Sequence, residues 1–167
     1  MEAALHPGFL AIIHDAQGYQ GGLLITNSWS RPLEFRLTAP VQPTRVHQVL
    51  YGSTLRRYVM ADVIGKALLD KAATPVQVLF VDASELLDLR RHLSVPVVWV
   101  QPTEPLSAGV VNDALSWSWG GQVLRASSHA DREEASTLLA RLGDMDLLEP
   151  FSRVREALGE ARKRPAA

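Results

Sequence analysis

Two short apolar runs on either side of a helical segment constrain the fold of this sequence more than any other feature. Val76 to Val81 and Val95 to Val100 are rich in β-branched residues, which is typical of strands covered on both faces. Between them, Glu85 to His92 has the pattern of a helix, and Asp82 or Ser84 can cap its start. A strand, a helix and a second strand in this order predict a parallel pair joined by a right-handed crossover.

The N-terminal part of the sequence predicts an antiparallel meander. Phe9 to His14 and Gly22 to Thr26 are apolar runs separated by turn-forming residues, as in a hairpin. After a second turn, Leu33 to Leu37 alternate between apolar and charged side chains, which predicts a third strand with one buried face. A largely buried helix then extends from Gly52-Ser53 to about Ala72.

The C-terminal part predicts two helices. Ser128 can cap the first, which ends before Gly143. The second begins after Asp146 and has a narrow apolar stripe that includes Phe151 and Val154.

Length and composition fit one globular domain. The chain has 167 residues, of which 47% are hydrophobic and 21% are charged. We therefore predict a single α/β domain over residues 1–161, followed by a tail over residues 162–167. Its mixed sheet opens with the three-stranded meander, continues with a helix and then the βαβ unit, and ends with the two helices.

Charge and cysteine content exclude several classes of function. The 17 basic and 18 acidic residues give a net charge of −1, so no overall attraction draws the chain to nucleic acid or to an anionic membrane. The absence of cysteine excludes disulfides, thiolate metal sites and thiol nucleophiles. With no visible export signal and no apolar run of membrane-spanning length, we expect a cytoplasmic protein without a membrane partner.

The predicted order of elements resembles that of the ribonuclease H-like superfamily. In that superfamily, an acidic residue on the first strand, another at the end of the fourth strand and others on helices gather metal ions for phosphoryl transfer. The resemblance implies a Mg²⁺ or Mn²⁺ site and a nuclease activity. The positions that match are Asp15 and Asp82, with a third acid from Asp62 or Asp131.

A second resemblance covers roughly the first 70 residues and is to an uncharacterised family of short bacterial proteins. It implies a bacterial, cytoplasmic protein and brings no activity. The motifs that carry it are Gly21-Gly22-Leu23-Leu24, Pro32-Leu33-Glu34-Phe35-Arg36, Pro40-Val41, Pro43-Thr44 and Leu50-Tyr51-Gly52.

Three of the four candidate acids also have a structural explanation. Asp82 stands where a helix cap is expected, and Asp131 lies in the first turn of a helix, where its charge suits the helix dipole. Asp62 shares a helical stripe with Lys66 and Asp70, which favours surface ion pairs. These explanations favour a protein that is not an enzyme.

Partner binding is the function that the sequence favours. Trp117 and Trp119 alternate with serines, so both rings lie on one face of a strand, and they must pack on the sheet or form a binding surface. Together with Phe151 and Val154 of the last helix, they are the candidate contacts for a protein partner or a second copy. The leading hypothesis is a non-enzymatic interaction or adaptor module within a larger bacterial assembly.

Two alternatives remain open at this point. The first is the metal-dependent nuclease with Asp15 and Asp82 as its acids. The second is a small-molecule site at the carboxyl ends of the parallel strands, lined by Asp82, Ser84 and Gln101.

Overall fold

A computed structural model describes residues 4–101 and 113–163, and it contains one seven-stranded mixed sheet. The strand order is β3-β2-β1-β4-β5-β7-β6. The predicted α/β class and mixed sheet are confirmed. The strands are β1 (Pro7–Asp15), β2 (Gly18–Thr26), β3 (Pro32–Leu37), β4 (Val78–Val81), β5 (Val97–Gln101), β6 (Ser116–Trp119) and β7 (Gln122–Arg125).

The helices also follow the predicted order. They are α1 (Arg45–Tyr51), α2 (residues 52–71), a 3₁₀ helix (Ser84–His92), α3 (His129–Leu142) and α4 (Glu149–Lys163). Thr44 and Ser128 cap α1 and α3 by accepting hydrogen bonds from the amides of His47 and Asp131. The long predicted helix is irregular, because its middle, Tyr58–Gly65, is a π-helix.

The meander and the βαβ unit are both confirmed by the strand pairing. β1 pairs antiparallel with β2, and β2 pairs antiparallel with β3. β4 lies parallel to both β1 and β5, with Leu10 opposite Val81. The expected cap of the crossover helix was wrong, because the 3₁₀ helix starts after Ala83 without a side-chain cap. Asp82 is engaged in a different interaction, described below.

Two helical layers cover the central strands. One layer, formed by α3 and α4, packs on the sheet face that includes Phe9 and Phe80. The other, formed by α2 and the 3₁₀ helix, packs on the face that includes Leu10 and Leu79. Since β1 and β4 have helices on both sides, Phe9, Leu10 and Ala11 of β1 and all four residues of β4 are fully buried.

Two adjacent glycines in β2 let both layers come close to the sheet. A Cβ atom at Gly21 would lie 2.4 Å from Cγ2 of Ile64 in α2, and one at Gly22 would lie 2.7 Å from Cγ1 of Val154 in α4. Both distances are too short for real atoms, so the Gly-Gly pair is a packing requirement on both faces of the sheet. It lies inside a strand and not in the hairpin turn.

Two features bear on expectations from the sequence. Within the described ranges, no helix is both long and apolar enough to cross a membrane. The predicted tail over residues 162–167 is described as far as Lys163, where α4 ends, and residues 164–167 lie outside the described part.

Candidate functional site

Asp82 follows the last residue of β4, at the carboxyl edge of the central parallel strands. Its Oδ2 accepts a hydrogen bond of 2.9 Å from Nη2 of Arg155 on α4. The side chain of Asp82 is only 12% exposed, whereas that of Arg155 is 46% exposed. The pair therefore joins a covered carboxylate to a cation that reaches solvent.

One oxygen of the Asp82 carboxylate is left without a partner. Oδ1 is buried and makes no hydrogen bond. Burial raises the pKa of Asp82, although the Arg155 charge and the nearby amides of Asp82 and Ile12 act to lower that pKa. Neither amide makes a hydrogen bond to Oδ1 with normal geometry. A buried acceptor without a partner costs folding free energy, about 1–3 kcal/mol, so this position is not optimised for stability.

Asp15, the other predicted acid, also binds an arginine of α4. Its Oδ2 accepts a hydrogen bond from Nη1 of Arg162, and Nε of Arg162 donates to Oε1 of Gln20 at 2.5 Å. The Arg162 hydrogen bond and the amide of Gln17 hold the pKa of Asp15 below its usual value. Asp15 thus ends β1 as the partner of a largely buried guanidinium.

The structure does not bring Asp15 and Asp82 together. Leu10 lies opposite Val81, so Asp82 comes level with Ala11, four residues before Asp15 on β1. At the rise of an extended strand, this places the two positions about 13 Å apart along the sheet. That distance is too large for a shared metal ion.

The two candidates for a third acid lie away from Asp82. Asp62 is on α2, on the sheet face opposite α4, and its Oδ1 interacts with Nη2 of Arg91 at 3.4 Å and Nε2 of His92 at 3.1 Å. Asp131 is buried on α3, and its Oδ2 accepts a 2.8 Å hydrogen bond from Nε of Arg90. Both acids therefore belong to ion pairs of their own.

The residues around Asp82 do not fit a divalent-metal site. Mg²⁺ and Mn²⁺ prefer several oxygen ligands in octahedral geometry. The stretch of β1 beside Asp82 supplies Ala11, Ile12 and Ile13, which offer no side-chain ligand. Among residues 4–101 and 113–163, no three His, Asp or Glu side chains are grouped to hold a metal ion.

The predicted partner-binding residues are largely covered. Trp117 and Trp119 lie side by side on one face of β6, partly buried against the α3 and α4 layer. The guanidinium of Arg132 stacks over the Trp117 ring at 5.7 Å from its centre. Phe151 and Val154 are 1% and 0% exposed, so on this chain they are core residues of α4.

The residues of the small-molecule alternative do not share one of the described clefts. Gln101 is buried at the end of β5, and Ser84 is the first residue of the 3₁₀ helix. A cleft of about 550 Å³ lies elsewhere, between the β6–β7 turn and the α3–α4 connection. It is lined by Trp119, Gly120, Gln122, Gly143, Asp144, Met145 and Asp146.

Arg155 and Arg162 are the site residues that sequence reasoning missed. They lie far from their partners along the chain, with a sequence separation of 73 for Arg155 and Asp82 and of 147 for Arg162 and Asp15. One signal was present, because the two arginines lie about two turns apart on the same side of an amphipathic helix. That signal shows a shared face and does not identify the acids that the face meets.

The order and pairing of the strands define the fold of this chain. A meander, a buried helix, a βαβ unit and closing helices on a mixed sheet form a ribonuclease H-like fold. No family model and no curated protein sequence matches the chain. Solved structures do match, and two of them are endonuclease V proteins.

The endonuclease V of Streptomyces avermitilis is 14% identical, with a TM-score of 0.56 over 94% of this chain and 82% of that one. The endonuclease V of Ciona intestinalis is 9% identical, with a TM-score of 0.56 over 96% and 86% of the two chains. That structure is a complex with a 23mer DNA containing an inosine followed by a ribo-adenosine. At these identities, the likeness establishes the shared fold.

The comparison corrects the leading hypothesis from the sequence. A non-enzymatic interaction or adaptor module was the wrong choice, since two solved structures that share this fold are endonuclease V proteins. The expectation that the chain is not an enzyme is corrected on the same ground. The hypothesis relied too much on the absence of a convergent acidic motif. Such a motif concerns a few residues, and its absence does not determine the fold.

Proposed function

We propose that this chain is a nuclease whose working site is the Asp82 edge, meaning Asp82, Arg155 and the adjoining end of β4. The single observation that carries the proposal is the buried Asp82 carboxylate with a free Oδ1 at the end of a central parallel strand. Ligands of open α/β sheets bind at this edge. A perturbed acid kept there at a cost in stability is typical of functional sites.

The fold supports the same proposal. The chain covers most of two endonuclease V structures, one of which holds DNA. Phosphodiesters are therefore the substrate class, and the neighbour's DNA makes an inosine-containing strand the first substrate to test.

The chemistry follows from the properties of the pair. The raised pKa makes the Asp82 carboxylate a stronger base than an ordinary aspartate, and Arg155 can hold a phosphate oxygen beside it. A water oxygen bonds to phosphorus as the bond from phosphorus to the ester oxygen breaks. The water proton passes to Asp82, and the released alkoxide takes a proton from solvent.

Charge predicts weak, local attraction to nucleic acid. Many described basic side chains are already neutralised in ion pairs, including Arg56 with Glu85, Arg57 with Asp88 and Arg125 with Asp113. We expect few phosphate contacts and a shallow salt dependence, with log K falling by about 1–2 per tenfold increase in salt.

The test is cleavage of end-labelled single-stranded DNA, duplex DNA, RNA, RNA–DNA hybrid and inosine-containing DNA in buffer with Mg²⁺. We expect cleavage of at least one substrate and a loss of about 100-fold or more in Asp82→Asn, as for removal of a general base. Asp70→Asn is the matched control, because Asp70 is an exposed acid paired with Lys66 on α2. Absence of cleavage on every substrate, or full activity in Asp82→Asn, would refute the proposal.

A further inference from the structure

Arg155 occupies the place beside Asp82 where a metal-dependent nuclease would need a cation. Its Nη2 lies 2.9 Å from Oδ2 of Asp82, and the rest of the guanidinium extends toward solvent, since the side chain is 46% exposed. A guanidinium has five N–H donors in a planar fork, so one can bind the carboxylate while others face outward.

The second acid expected to hold metal has the same kind of partner. Arg162 lies about two helical turns beyond Arg155 on α4 and binds Asp15 and Gln20. α4 runs along β1, from Phe151 beside Phe9 to Arg162 beside Asp15. One helix thus supplies a guanidinium to each of the two carboxylates.

Among the described residues, the other neighbours of Asp82 do not complete a metal site. Ala11, Ile12 and Ile13 are the β1 residues next to Asp82, and Asp62 and Asp131 are held by their own arginine partners. From residues 4–101 and 113–163, a divalent ion at Asp82 would have one protein carboxylate as ligand and a guanidinium beside it. The positive charge of the guanidinium repels a divalent ion, and the shortage of oxygen ligands also opposes its binding.

We infer that Arg155 is the resident cation of the Asp82 edge, so that this chain binds nucleic-acid phosphate there without a divalent metal ion. The ligand named here, nucleic-acid phosphate, rests on the proposed nuclease function. The absence of metal binding does not, and it can be measured without any nucleic acid. The guanidinium suits a phosphate because it can donate two parallel hydrogen bonds to two oxygens.

The first experiment titrates Mn²⁺ into the wild-type chain, Asp82→Asn and Asp70→Asn by isothermal calorimetry. We expect the three proteins to give the same weak, unsaturated heats. A saturable site with a Kd below about 100 μM that is lost in Asp82→Asn and kept in Asp70→Asn would overturn the inference. The titration can decide this, since a tenfold change in affinity is readily measured. The nuclease proposal would survive that result.

The second experiment measures binding of a fluorescein-labelled single-stranded oligonucleotide by polarisation, in EDTA and in Mg²⁺. We expect equal Kd values in both buffers, at least about tenfold weaker binding in Arg155→Gln, and a smaller loss in Arg155→Lys, which keeps the positive charge but not the two parallel donors. Arg45→Gln is the control, because Arg45 is an exposed arginine of α1. Binding that requires Mg²⁺, or unchanged binding in Arg155→Gln, overturns the inference.

The two proposals fail differently. A wild-type chain that neither binds nor cleaves any oligonucleotide refutes the nuclease function, and the Mn²⁺ titration then decides about the resident cation alone. A thermal melt of each variant distinguishes lost binding from lost folding, and Arg155→Lys keeps the positive charge if Arg155→Gln unfolds.

Discussion

Gly21 of β2 faces Ile64 of α2 so closely that a Cβ atom at Gly21 would lie 2.4 Å from Cγ2 of Ile64. The contact fixes how near the irregular helix lies to the sheet. It also explains why two glycines stand together in a strand whose residues are all buried.

Gly21→Ala is expected to destabilise the protein by about 1–3 kcal/mol, because Ile64 or α2 must move to make room for the methyl group. Gly159→Ala is the matched control, since a Cβ at Gly159 of α4 would meet no atom within 4 Å. Alanine is the better helix former, so that control should gain about 0.5–1 kcal/mol. Urea denaturation measures both, and equal midpoints for Gly21→Ala and wild type would contradict the packing argument.

Asp82 should make the protein less stable as pH rises. Its pKa is raised in the folded state, so the folded chain binds a proton more tightly than the unfolded chain does. Stability is therefore greatest below the unfolded pKa near 3.8 and falls as pH rises through the raised folded pKa. Asp82→Asn removes this dependence of stability on pH. From pH 4 to 8, the melting temperature of Asp82→Asn should therefore fall less than that of wild type. A steeper fall in Asp82→Asn would show that the sign is wrong.

Glu34 should act in the opposite direction at low pH. Its carboxylate binds Arg36 and accepts hydrogen bonds from the amides of Ala73 and Thr74, which tie the edge strand β3 to the end of α2. These partners lower the pKa of Glu34 to about 2, so its contribution is lost as pH falls from 4.5 toward 2. Acid unfolding of Glu34→Gln should be less steep in this range. Glu160→Gln, in an exposed pair with Lys163, should follow wild type.

Arg162 should stabilise the first hairpin more than its neighbour does. Its side chain is 17% exposed and binds Asp15 and Gln20, whereas that of Lys163 is 72% exposed and binds Glu160 on its own helix. Arg162→Met is expected to lower Tm by about 3–6 °C and to speed hydrogen exchange in the β1–β2 turn. Lys163→Met should change Tm by less than about 1 °C. Equal effects of the two substitutions would mean that the Arg162 contacts contribute nothing.

Local patterns in the sequence predicted most of the fold. The covered strands β4 and β5 and the cap Ser128 each depend on residues close together in sequence, so a single sequence contains their signals. The strand β3 is present, but the buried face expected from its alternation was wrong, because Leu33, Phe35 and Leu37 are exposed at the edge of the sheet. The π-helical centre of α2, Tyr58–Gly65, was not predicted, because the sequence pattern indicated only a buried helix over this stretch.

The site was harder to predict because its contacts are long-range. Asp82 and Asp15 were identified, but their partners Arg155 and Arg162 lie on the last helix and are chosen by how α4 docks on β1. The strand register also mattered, since Leu10 opposite Val81 sets Asp82 apart from Asp15. A sequence gives no direct measure of register between strands that are distant in the chain.

The two arginines of α4 also bear on synthesis. A ribosome makes both carboxylates long before it makes α4, so the nascent chain carries Asp15 and Asp82 without their guanidinium partners until the last helix emerges. The central strands can pair early, yet the edge that ends in these acids stays negatively charged until then. Neutralisation of that edge therefore waits for the synthesis of α4.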